Sequence, residues 1–485
     1  MDYGPTKKSV SKHEVPEWYH DAKFGIFIHW GLYSVPAFAP VRDKDYVEIM
    51  ATEGLAGHMR SNPYAEWYLN SMRIPGTETK KYQEETYGKD FKYDDFIPEF
   101  NQAIKKWNPE DMVNIFKKAG AQYVVLVTKH HDGYLLWSSK YDNPRKPKYR
   151  ADRDIVGELT SEVKKQGMRM GFYYSGILDW SFNEIPITSI ATYLNNNTDD
   201  QEYIDYATNH WKELIDKYEP SIVWNDIGYP AGANIYEIFA YYYNKFPDGV
   251  INDRWVQFPK WTKKAIRIGF IEKIINWLVK IYMKRKGAVF PTPKFHCDYL
   301  TPEYTSFSEI KKKKWETTRG IGDSFGYNKF EPDEKYLTFT ELVHMFVDIV
   351  SKNGNLLLNV GPMADGTIPD IQKNLLLEFG KWLEVNGDAI FGTKPWVRAE
   401  GYTKDGVEIR FTKKDGDLYF ILLGELSDKI IIESFKVGNG CTIKLLCDEK
   451  NLDWTMEGDD LVFSLPELKD EAPAHAFKIT GFIKQ

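Results

Sequence analysis

Polar side chains of the kinds that catalyse reactions stand directly after several short apolar runs of this sequence. Asp226 is one of them, because it follows the run Ile222-Val223-Trp224-Asn225. A carboxylate at the mouth of a buried strand loses hydration unless donors replace it, and a nearby histidine or arginine would keep it ionised, as a nucleophile must be. A carboxylate that merely accepts hydrogen bonds from loop amides is an equal alternative. In chain order the runs end at His29, His130 with His131, Tyr173 with Tyr174, Asp226, and Asp253 with Arg254.

The adjacent histidines His130 and His131 suggest a metal site at first sight. Adjacent residues of a strand point to opposite faces, so both reach one ion only if the strand breaks there. The sequence has no HxH, HExxH or CxxC motif to complete a ligand set, which such sites require. Hydrogen bonding to hydroxyls or to a carboxylate is therefore favoured over metal ligation, with a structural role as the other alternative. We expect no metal ion and no organic cofactor.

Aromatic residues near these polar positions indicate a sugar site. Aromatic rings cover the apolar face of a pyranose, histidine, arginine and carboxylates bond its hydroxyls, and two carboxyl groups can cleave the glycosidic bond. Each aromatic residue taken alone is more often part of a core than a ligand contact. The candidates for the pocket walls are Glu66 with Trp67, Trp224 and Phe325.

The elements that must position these residues alternate between apolar runs and helical patterns. Continuous apolar runs that follow helices are typical of parallel strands buried on both faces. Their number predicts an α/β fold, an irregular (β/α)8-type barrel, in which the carboxyl ends of the strands converge on one pocket. The runs cover residues 24–31, 123–133, 168–176, 221–228, 249–255 and 355–362.

The sequence changes character after a helical pattern that ends near residue 392. Short alternating segments follow, separated by turn signals such as KDG, GNG and EGDD. This spacing is typical of an antiparallel β-sandwich. We therefore expect a catalytic barrel over residues 1–392 and a C-terminal β-sandwich over 393–485, which supports the barrel and does not bind glycans by itself.

Residues 256–294 interrupt the barrel pattern with ten Lys or Arg residues and a single acid, Glu272. An apolar stripe at helical spacing predicts a cationic amphipathic helix. We favour a helix that packs on the barrel with solvated lysines; the alternatives are a lid or protomer contact beside the site and a helix on a membrane surface. The stripe consists of Ile268, Ile271, Ile275, Leu278 and Tyr282, with Glu272, Lys273, Asn276 and Lys280 opposite.

The amino-acid composition excludes several classes of protein. The 485 residues are 42% hydrophobic and 27% charged, which excludes fibrous and disordered chains. The 63 Lys and Arg against 70 Asp and Glu give a net charge of −7, which does not fit a dedicated nucleic-acid binder. Three cysteines without paired spacing indicate neither a disulfide framework nor a structural zinc site. We expect no signal peptide, no membrane span and a cytoplasmic location; a homo-oligomer is compatible with the sequence.

Nine motifs, in order over about residues 16–396, resemble the α-L-fucosidases of glycoside hydrolase family 29. The resemblance implies an irregular barrel followed by a β-sandwich, in agreement with the pattern above. It also implies a retaining exo-glycosidase that removes terminal α-L-fucosyl residues from a fucosylated oligosaccharide or glycoconjugate. The motifs are FGIFIHWG, AEWYLNSM, KHHDGYLLW, GFYYSGILDW, VWNDIG, NDRW, HCDYLTPEY, KWETTRGIGDSFGYN and GNLLLNVGPMADGTIP.

The same resemblance implies roles for individual residues. Asp226 in WND-x-G matches the nucleophile, and Glu303 in HCDYLTPEY matches the acid/base, with Glu316 and then Glu66 as alternatives. Forty residues separate Trp255 from His296, so the cationic segment is inserted directly before the acid/base loop, where it would shape the aglycone side. Positions that bond the fucose hydroxyls are matched by His29, His130, His131, Tyr173 and Arg254, and aromatic walls by Trp67, Trp224 and Phe325.

Three other functions compete with this interpretation. An α-L-galactosidase acts on a substrate with a hydroxyl added to the methyl group of fucose, which a hydrophobic pocket rejects only weakly. A catalytically silent sugar-binding protein is disfavoured because both Asp226 and Glu303 are present. A metal-dependent barrel hydrolase would lose its activity on chelation.

Overall fold

The computed structural model describes residues 2–44, 46–266, 268–286, 292–448, 450–466 and 472–482. In these ranges the N-terminal part contains a parallel sheet of seven strands. No helix of the described ranges is both long enough and apolar enough to cross a membrane. The strands of the parallel sheet are β1 Phe24–Ile28, β2 Tyr123–Lys129, β3 Arg169–Ser175, β4 Ile222–Asp226, β5 Val250–Ile251, β6 Trp315–Gly320 and β7 Gly354–Val360. They lie in the order β5-β4-β3-β2-β1-β7-β6.

Residues 298–304 close the gap between the edge strands β5 and β6. On one side the amide of Asp298 donates to the carbonyl of Ile251 at 2.9 Å. On the other side the amide of Glu316 donates to Leu300 at 2.8 Å, and Glu303 forms a parallel bridge with Thr318. This irregular eighth segment joins the two edges, and the predicted irregular barrel is confirmed.

Helices cover the outside of the barrel, and local sequence explains where they begin and end. Helix α8, Pro109–Lys118, has Asn108 as its N-cap, and the side chain of Asn108 accepts from the amide of Glu110 at 3.1 Å. Pro109 stands at the first position of the helix, where a missing amide costs nothing. Gly120, with φ +84°, allows the chain to turn after it. The helices are α1 Lys7–Val10, α2 Glu17–Ala22, α3 Tyr46–Thr52, α4 Gly54–Arg60, α5 Tyr68–Arg73, α6 Glu78–Thr86, α7 Ile97–Ala103, α8 Pro109–Lys118, α9 Ile155–Lys165, α10 Ile190–Asn196, α11 Gln201–Tyr218, α12 Ile235–Lys245, α13 Lys260–Ala265, α14 Gly269–Lys286, α15 Phe339–Ser351 and α16 Asp370–Asn386.

Two antiparallel sheets follow the barrel and confirm the predicted sandwich. A six-stranded sheet and a three-stranded sheet enclose an apolar core of their own. The larger sheet contacts the barrel helices, since the indole of Trp382 donates to Ala474 O at 2.9 Å. The division at 392/393 stays a prediction. The strands are β8 Lys394–Tyr402, β9 Glu408–Lys414, β10 Asp417–Leu423, β11 Lys429–Ile432, β12 Thr442–Leu445, β13 Asn451–Leu452, β14 Trp454–Glu457, β15 Asp460–Ser464 and β16 Ala474–Thr480. The order is β13-β12-β16-β10-β9-β8 in the larger sheet and β11-β15-β14 in the smaller one.

The inserted segment forms α13 and α14, but only part of the predicted apolar stripe of α14 faces the protein. Ile271, Ile275 and Tyr282 are half-buried, and Lys273 is exposed as expected. Ile268 and Leu278 are instead 57% and 51% exposed, and two polar residues expected outside face the protein. Glu272 accepts from the amide of Ala191 at 3.0 Å and Lys280 donates to Thr52 O at 2.8 Å. The helix turns this way because it packs against α3, α4 and α10, whose ends offer backbone groups that need partners. Residues 267 and 287–291 of the segment lie outside the described residues.

Candidate active site

A pocket of about 500 Å³ opens at the carboxyl ends of the barrel strands. Parallel pairing brings these ends level, since Ile28 pairs with both Leu126 and Val360, and Ser175 pairs with Asp226. A cavity of about 630 Å³ beside β8–β10 contains none of the predicted site residues. All predicted residues line the first pocket except the alternative Glu316: His29, Glu66, Trp67, His130, His131, Tyr173, Trp224, Asp226, Arg254, Glu303 and Phe325.

Asp226, the last residue of β4, is held by side chains and not by loop amides. Tyr173 Oη donates to Asp226 Oδ2 at 2.9 Å, and Arg254 Nη1 donates to Oδ1 at 3.1 Å. The hydroxyl and the guanidinium thus bind one oxygen each and fix the orientation of the carboxylate. The geometry therefore supports the nucleophile hypothesis over the alternative of an amide-bound structural carboxylate.

Glu303 reaches the same guanidinium from the eighth segment of the barrel. Arg254 Nη2 donates to Glu303 Oε2 at 3.0 Å and to Thr301 O at 3.1 Å. Burial raises the pKa of Glu303, the guanidinium of Arg254 opposes this rise, and the charge of Asp226 adds to it; the net direction is upward. A half-buried carboxyl with a raised pKa is suited to deliver a proton.

The backbone turns sharply after each of these two carboxyl residues. Ile227, next to Asp226, has φ +67°, and Tyr304, next to Glu303, has φ +50°. A β-branched residue is rarely found in this left-handed region, and strain of this kind concentrates at functional sites. Each turn leaves the carboxyl at the last extended position, with its side chain at the pocket.

The histidines of the pocket are neutral. Burial lowers the pKa of His29 to about 3 and holds the pKa values of His130 and His131 well below their usual range. His29 Nδ1 contacts Asn359 Oδ1 at 2.6 Å and His131 Nδ1 contacts Ser175 Oγ at 2.7 Å. Among the described residues, His130 Nδ1 is buried without a partner, so a ligand hydroxyl can bind it.

Both members of the histidine pair line one pocket because β2 ends before them. The strand stops at Lys129, after a register shift against β3, and the two imidazole rings lie 4.0 Å apart. Within the described ranges, the cluster with ligand-like geometry for a metal ion is His13, His296 and Asp298, which does not line this pocket.

Aromatic rings form one wall of the pocket. Trp224 stacks on Tyr173, with ring centroids 5.6 Å apart, and lies 5.0 Å below the guanidinium of Arg254. The edge of Trp67 meets His131, with centroids 5.1 Å apart, and Phe325 lies 5.0 Å from His29. The polar groups are thus framed by apolar surfaces, as a pyranose requires.

The alternative acid/base residues have other environments. Glu316 lies inside the barrel and accepts from Tyr19, Tyr123 and Trp224 at 2.8, 2.5 and 3.1 Å. Glu66 lines the pocket and accepts from the amide of Gly326 at 2.8 Å. Burial raises its pKa to about 8, so its carboxyl is protonated at neutral pH.

Two strand-end residues do not join the pocket, which corrects the expectation that all of them share it. Tyr174 points to the opposite face of β3 from Tyr173, as strand geometry requires, and its hydroxyl contacts His210 Nδ1 at 3.1 Å. Asp253 instead accepts from Thr301 Oγ1 at 2.5 Å. It thereby fixes the segment that carries Glu303.

Sequence reasoning misses the outer, apolar part of the pocket. These residues look like ordinary apolar core residues of long connections, so their types alone do not separate them from a core. The position of the inserted segment before the Glu303 motif is the one useful signal, because three of them come from it. The residues are Met50, Leu55, Ile190 and Leu194, with Phe258, Ile275 and Val279 from the insertion.

A barrel that gathers two carboxyl groups, neutral histidines and aromatic rings at its strand ends defines the class of glycoside hydrolases. Comparison with known proteins narrows the class. The model of the alpha-L-fucosidase family matches residues 1–388. The chain belongs to this family, and the predicted family and enzyme class are confirmed.

Relatives with this fold and sequence are named alpha-L-fucosidases. One from Dictyostelium discoideum is 32% identical over 91% of this chain and 85% of its own length. The plasma alpha-L-fucosidase of Homo sapiens is 30% identical over 96% and 89%. The crystal structure of Thermotoga maritima alpha-fucosidase in complex with fucose is 40% identical, with a TM-score of 0.82, over 99% of this chain and all of that chain.

Proposed function

We propose that this chain removes terminal α-L-fucosyl residues from oligosaccharides or glycoconjugates, with Asp226 as nucleophile and Glu303 as acid and base. The observation that carries this assignment is the guanidinium of Arg254, whose two terminal nitrogens bind one carboxyl each at 3.1 and 3.0 Å. This arrangement keeps both groups within the span of one planar ion. It suits double displacement, which needs two close carboxyl groups of different proton affinity.

In the first step the carboxylate of Asp226 attacks the anomeric carbon. The C–O bond to the leaving group breaks while Glu303 transfers its proton to the departing oxygen. Burial and the neighbouring charge of Asp226 raise the pKa of Glu303, which is the direction that proton donation requires.

In the second step water attacks the glycosyl ester on Asp226, and Glu303 accepts the proton of that water. The ester carries no charge, so the contribution of Asp226 to the raised pKa of Glu303 disappears, whereas the contribution of burial remains. The carboxyl is then a better base at the moment when a base is required. Two inversions at the anomeric carbon give net retention.

The neutral side chains position the sugar. His130 Nδ1, buried without a partner among the described residues, would exchange a hydrogen bond with a fucose hydroxyl. Glu66, with a pKa raised to about 8, would donate one. Unpaired buried polar groups favour a ligand that satisfies them and reject one that does not.

The inserted helix α14 shapes the aglycone side. Ile275 and Val279 lie at the pocket rim together with Phe258, on the same segment that precedes Glu303 in sequence. Leaving groups with apolar surface would contact this rim.

Proton NMR during hydrolysis tests the mechanism. Retention requires α-L-fucose to be the first product, with the β anomer rising only at the rate of mutarotation. Initial formation of β-L-fucose would mean a single displacement and would remove the nucleophile role of Asp226.

A further inference from the structure

Helices α13 and α14 carry a patch of large apolar side chains that face solvent. Exposed apolar residues at spacings of three and four lie on one side of a helix. A contiguous exposed patch of this kind marks an interaction site. This outer patch consists of Trp261, Ile268, Phe270, Ile274, Trp277 and Leu278, which are 67, 57, 71, 41, 59 and 51% exposed.

The other side of α14 is fixed to the protein, which determines the direction in which the outer patch points. Met283 is buried in a cluster with Met50 and Ala51. The hydrogen bonds of Glu272 with Ala191 and of Lys280 with Thr52 hold the helix at two further points. The patch therefore cannot be hidden by rotating the helix without breaking these contacts.

Positive charge surrounds the outer patch. Residues 256–294 have ten Lys or Arg and one acid, in a chain of net charge −7. Among the described residues of this segment, the ion pair with a carboxylate is that of Lys263 with Asp199 at 2.8 Å. The other cations beside the patch are exposed: Lys260, Lys264, Lys273, Lys284 and Arg285.

We propose that the outer patch docks on the surface of an anionic phospholipid bilayer. Tryptophan and phenylalanine insert at the boundary between headgroups and acyl chains, and the surrounding lysines attract anionic headgroups. A second copy of the chain would bring two positively charged faces together, which is unfavourable. A neutral partner would leave these cations without a counter-charge.

Docking would place the active site beside the bilayer. Ile275 and Val279, on the inner side of α14, line the pocket, while Phe270 and Trp277 are on the outer side. An α-helix is about 10 Å wide, so the pocket opens one helix width from the docked face. The enzyme would then act on glycans held at a membrane surface. The docking itself does not depend on the proposed catalytic roles.

Sedimentation of the full chain with lipid vesicles tests this proposal. Vesicles of phosphatidylcholine alone are compared with vesicles that also contain phosphatidylglycerol. One double variant, Phe270→Ser with Trp277→Ser, removes apolar contacts, and another, Lys273→Glu with Lys284→Glu, reverses charge. The matched controls are Val397→Ser, at a position 75% exposed on β8, and Lys381→Glu on the exposed side of α16.

We expect binding to the anionic vesicles that weakens as salt is added. Each basic residue near an anionic surface contributes about fivefold to partitioning, so the charge-reversed variant should bind at least about 25-fold more weakly. The apolar variant should lose at least about tenfold. Both controls should bind like the parent chain, and every variant should hydrolyse 4-nitrophenyl α-L-fucoside at the parent rate, which shows that it is folded.

Three results would overturn the proposal. The first is that the parent chain binds anionic vesicles no more strongly than neutral ones. The second is that the two patch variants bind as well as the controls. The third is that sedimentation velocity shows an oligomer that dissociates when Phe270→Ser and Trp277→Ser are introduced. The last result would assign the patch to a second copy of the chain. An inactive parent chain that still binds anionic vesicles would contradict the proposed function alone.

Discussion

Asp226 and Glu303 accept hydrogen bonds from the two terminal nitrogens of one guanidinium, at 3.1 and 3.0 Å. The guanidinium belongs to Arg254, and Thr301 holds it in turn through its hydroxyl at 2.9 Å and its carbonyl at 3.1 Å. A planar, forked cation permits little freedom in the spacing of its partners. The separation of the two carboxyl groups is therefore set before substrate binds.

Two replacements of Arg254 should distinguish the effect of its charge from the effect of its forked guanidinium. Arg254 lowers the pKa of Glu303 against the effect of burial, so Arg254→Gln should raise that pKa and move the basic limb of the kcat/KM profile to higher pH. Arg254→Lys keeps the charge and should leave the limb near its parent position. Both variants lose the fork and should lose about 100-fold in rate. A basic limb that moves to lower pH in Arg254→Gln would contradict this role.

Two glutamine variants distinguish the candidates for the acid/base. Glu303→Gln should lower kcat/KM on a fucosyl disaccharide by about 100-fold to 10,000-fold and have a smaller effect on 4-nitrophenyl α-L-fucoside, whose leaving group needs less protonation. Glu316→Gln removes an acceptor of three buried donors, so it should destabilise the fold by about 1–3 kcal/mol and leave the folded enzyme active.

Initial rates on folded protein decide between the two residues. A large loss of activity in Glu316→Gln, with Glu303→Gln still active, would assign the acid/base role to Glu316. Thermal unfolding of both variants serves as the control for structural damage.

Glu66 should make the stability of the protein depend on pH. Its pKa is about 8 in the folded chain against 4.5 for an ordinary glutamate, so the folded state retains a proton that the unfolded state releases. Stability from this group is present below the lower value and is lost as pH rises towards about 8. The loss is on the order of 4 kcal/mol.

The variant Glu66→Gln cannot titrate and should lose less stability than the parent chain over that pH range. Melting temperatures at both ends of the range measure the difference, and Glu384→Gln, at an exposed position on α16, is the control. Equal losses in the parent chain and in Glu66→Gln would show that this carboxyl does not retain its proton.

The inner face of α14 should affect only substrates with a leaving group large enough to reach it. Ile275→Ser should lower kcat/KM for aryl and oligosaccharide fucosides several-fold, because it removes apolar contact from the rim. The rate on α-L-fucosyl fluoride, whose leaving group is a single atom, should not change. Ile274→Ser, on the exposed side of the same helix, is the matched control. Equal effects on both substrates would place Ile275 outside the aglycone site.

Strands with continuous apolar sequence, such as β2 and β7, could be predicted because burial on both faces requires apolar side chains at consecutive positions. Strand β6 could not, since the threonines and arginine of Trp315–Gly320 give no apolar run. The short segment that closes the barrel has no strand pattern either, because its hydrogen bonds to β5 and β6 are irregular.

The pocket residues could be predicted where chemistry and chain position coincide, as for Asp226 at the end of β4. The face of α14 that points to solvent could not be predicted, because amphipathic spacing shows that a helix has two faces but does not show which one is buried. That choice follows from partners such as Ala191 and Thr52, which are distant in sequence.

The release of 4-nitrophenol from 4-nitrophenyl α-L-fucoside by the parent chain and by Asp226→Ala tests the central assignment most directly. With Asp226 as the nucleophile, the variant should lose at least about 10,000-fold in kcat, and added azide should restore release by forming β-L-fucosyl azide in the space of the missing carboxylate. A folded Asp226→Ala variant that releases 4-nitrophenol at a rate close to the parent would contradict the account.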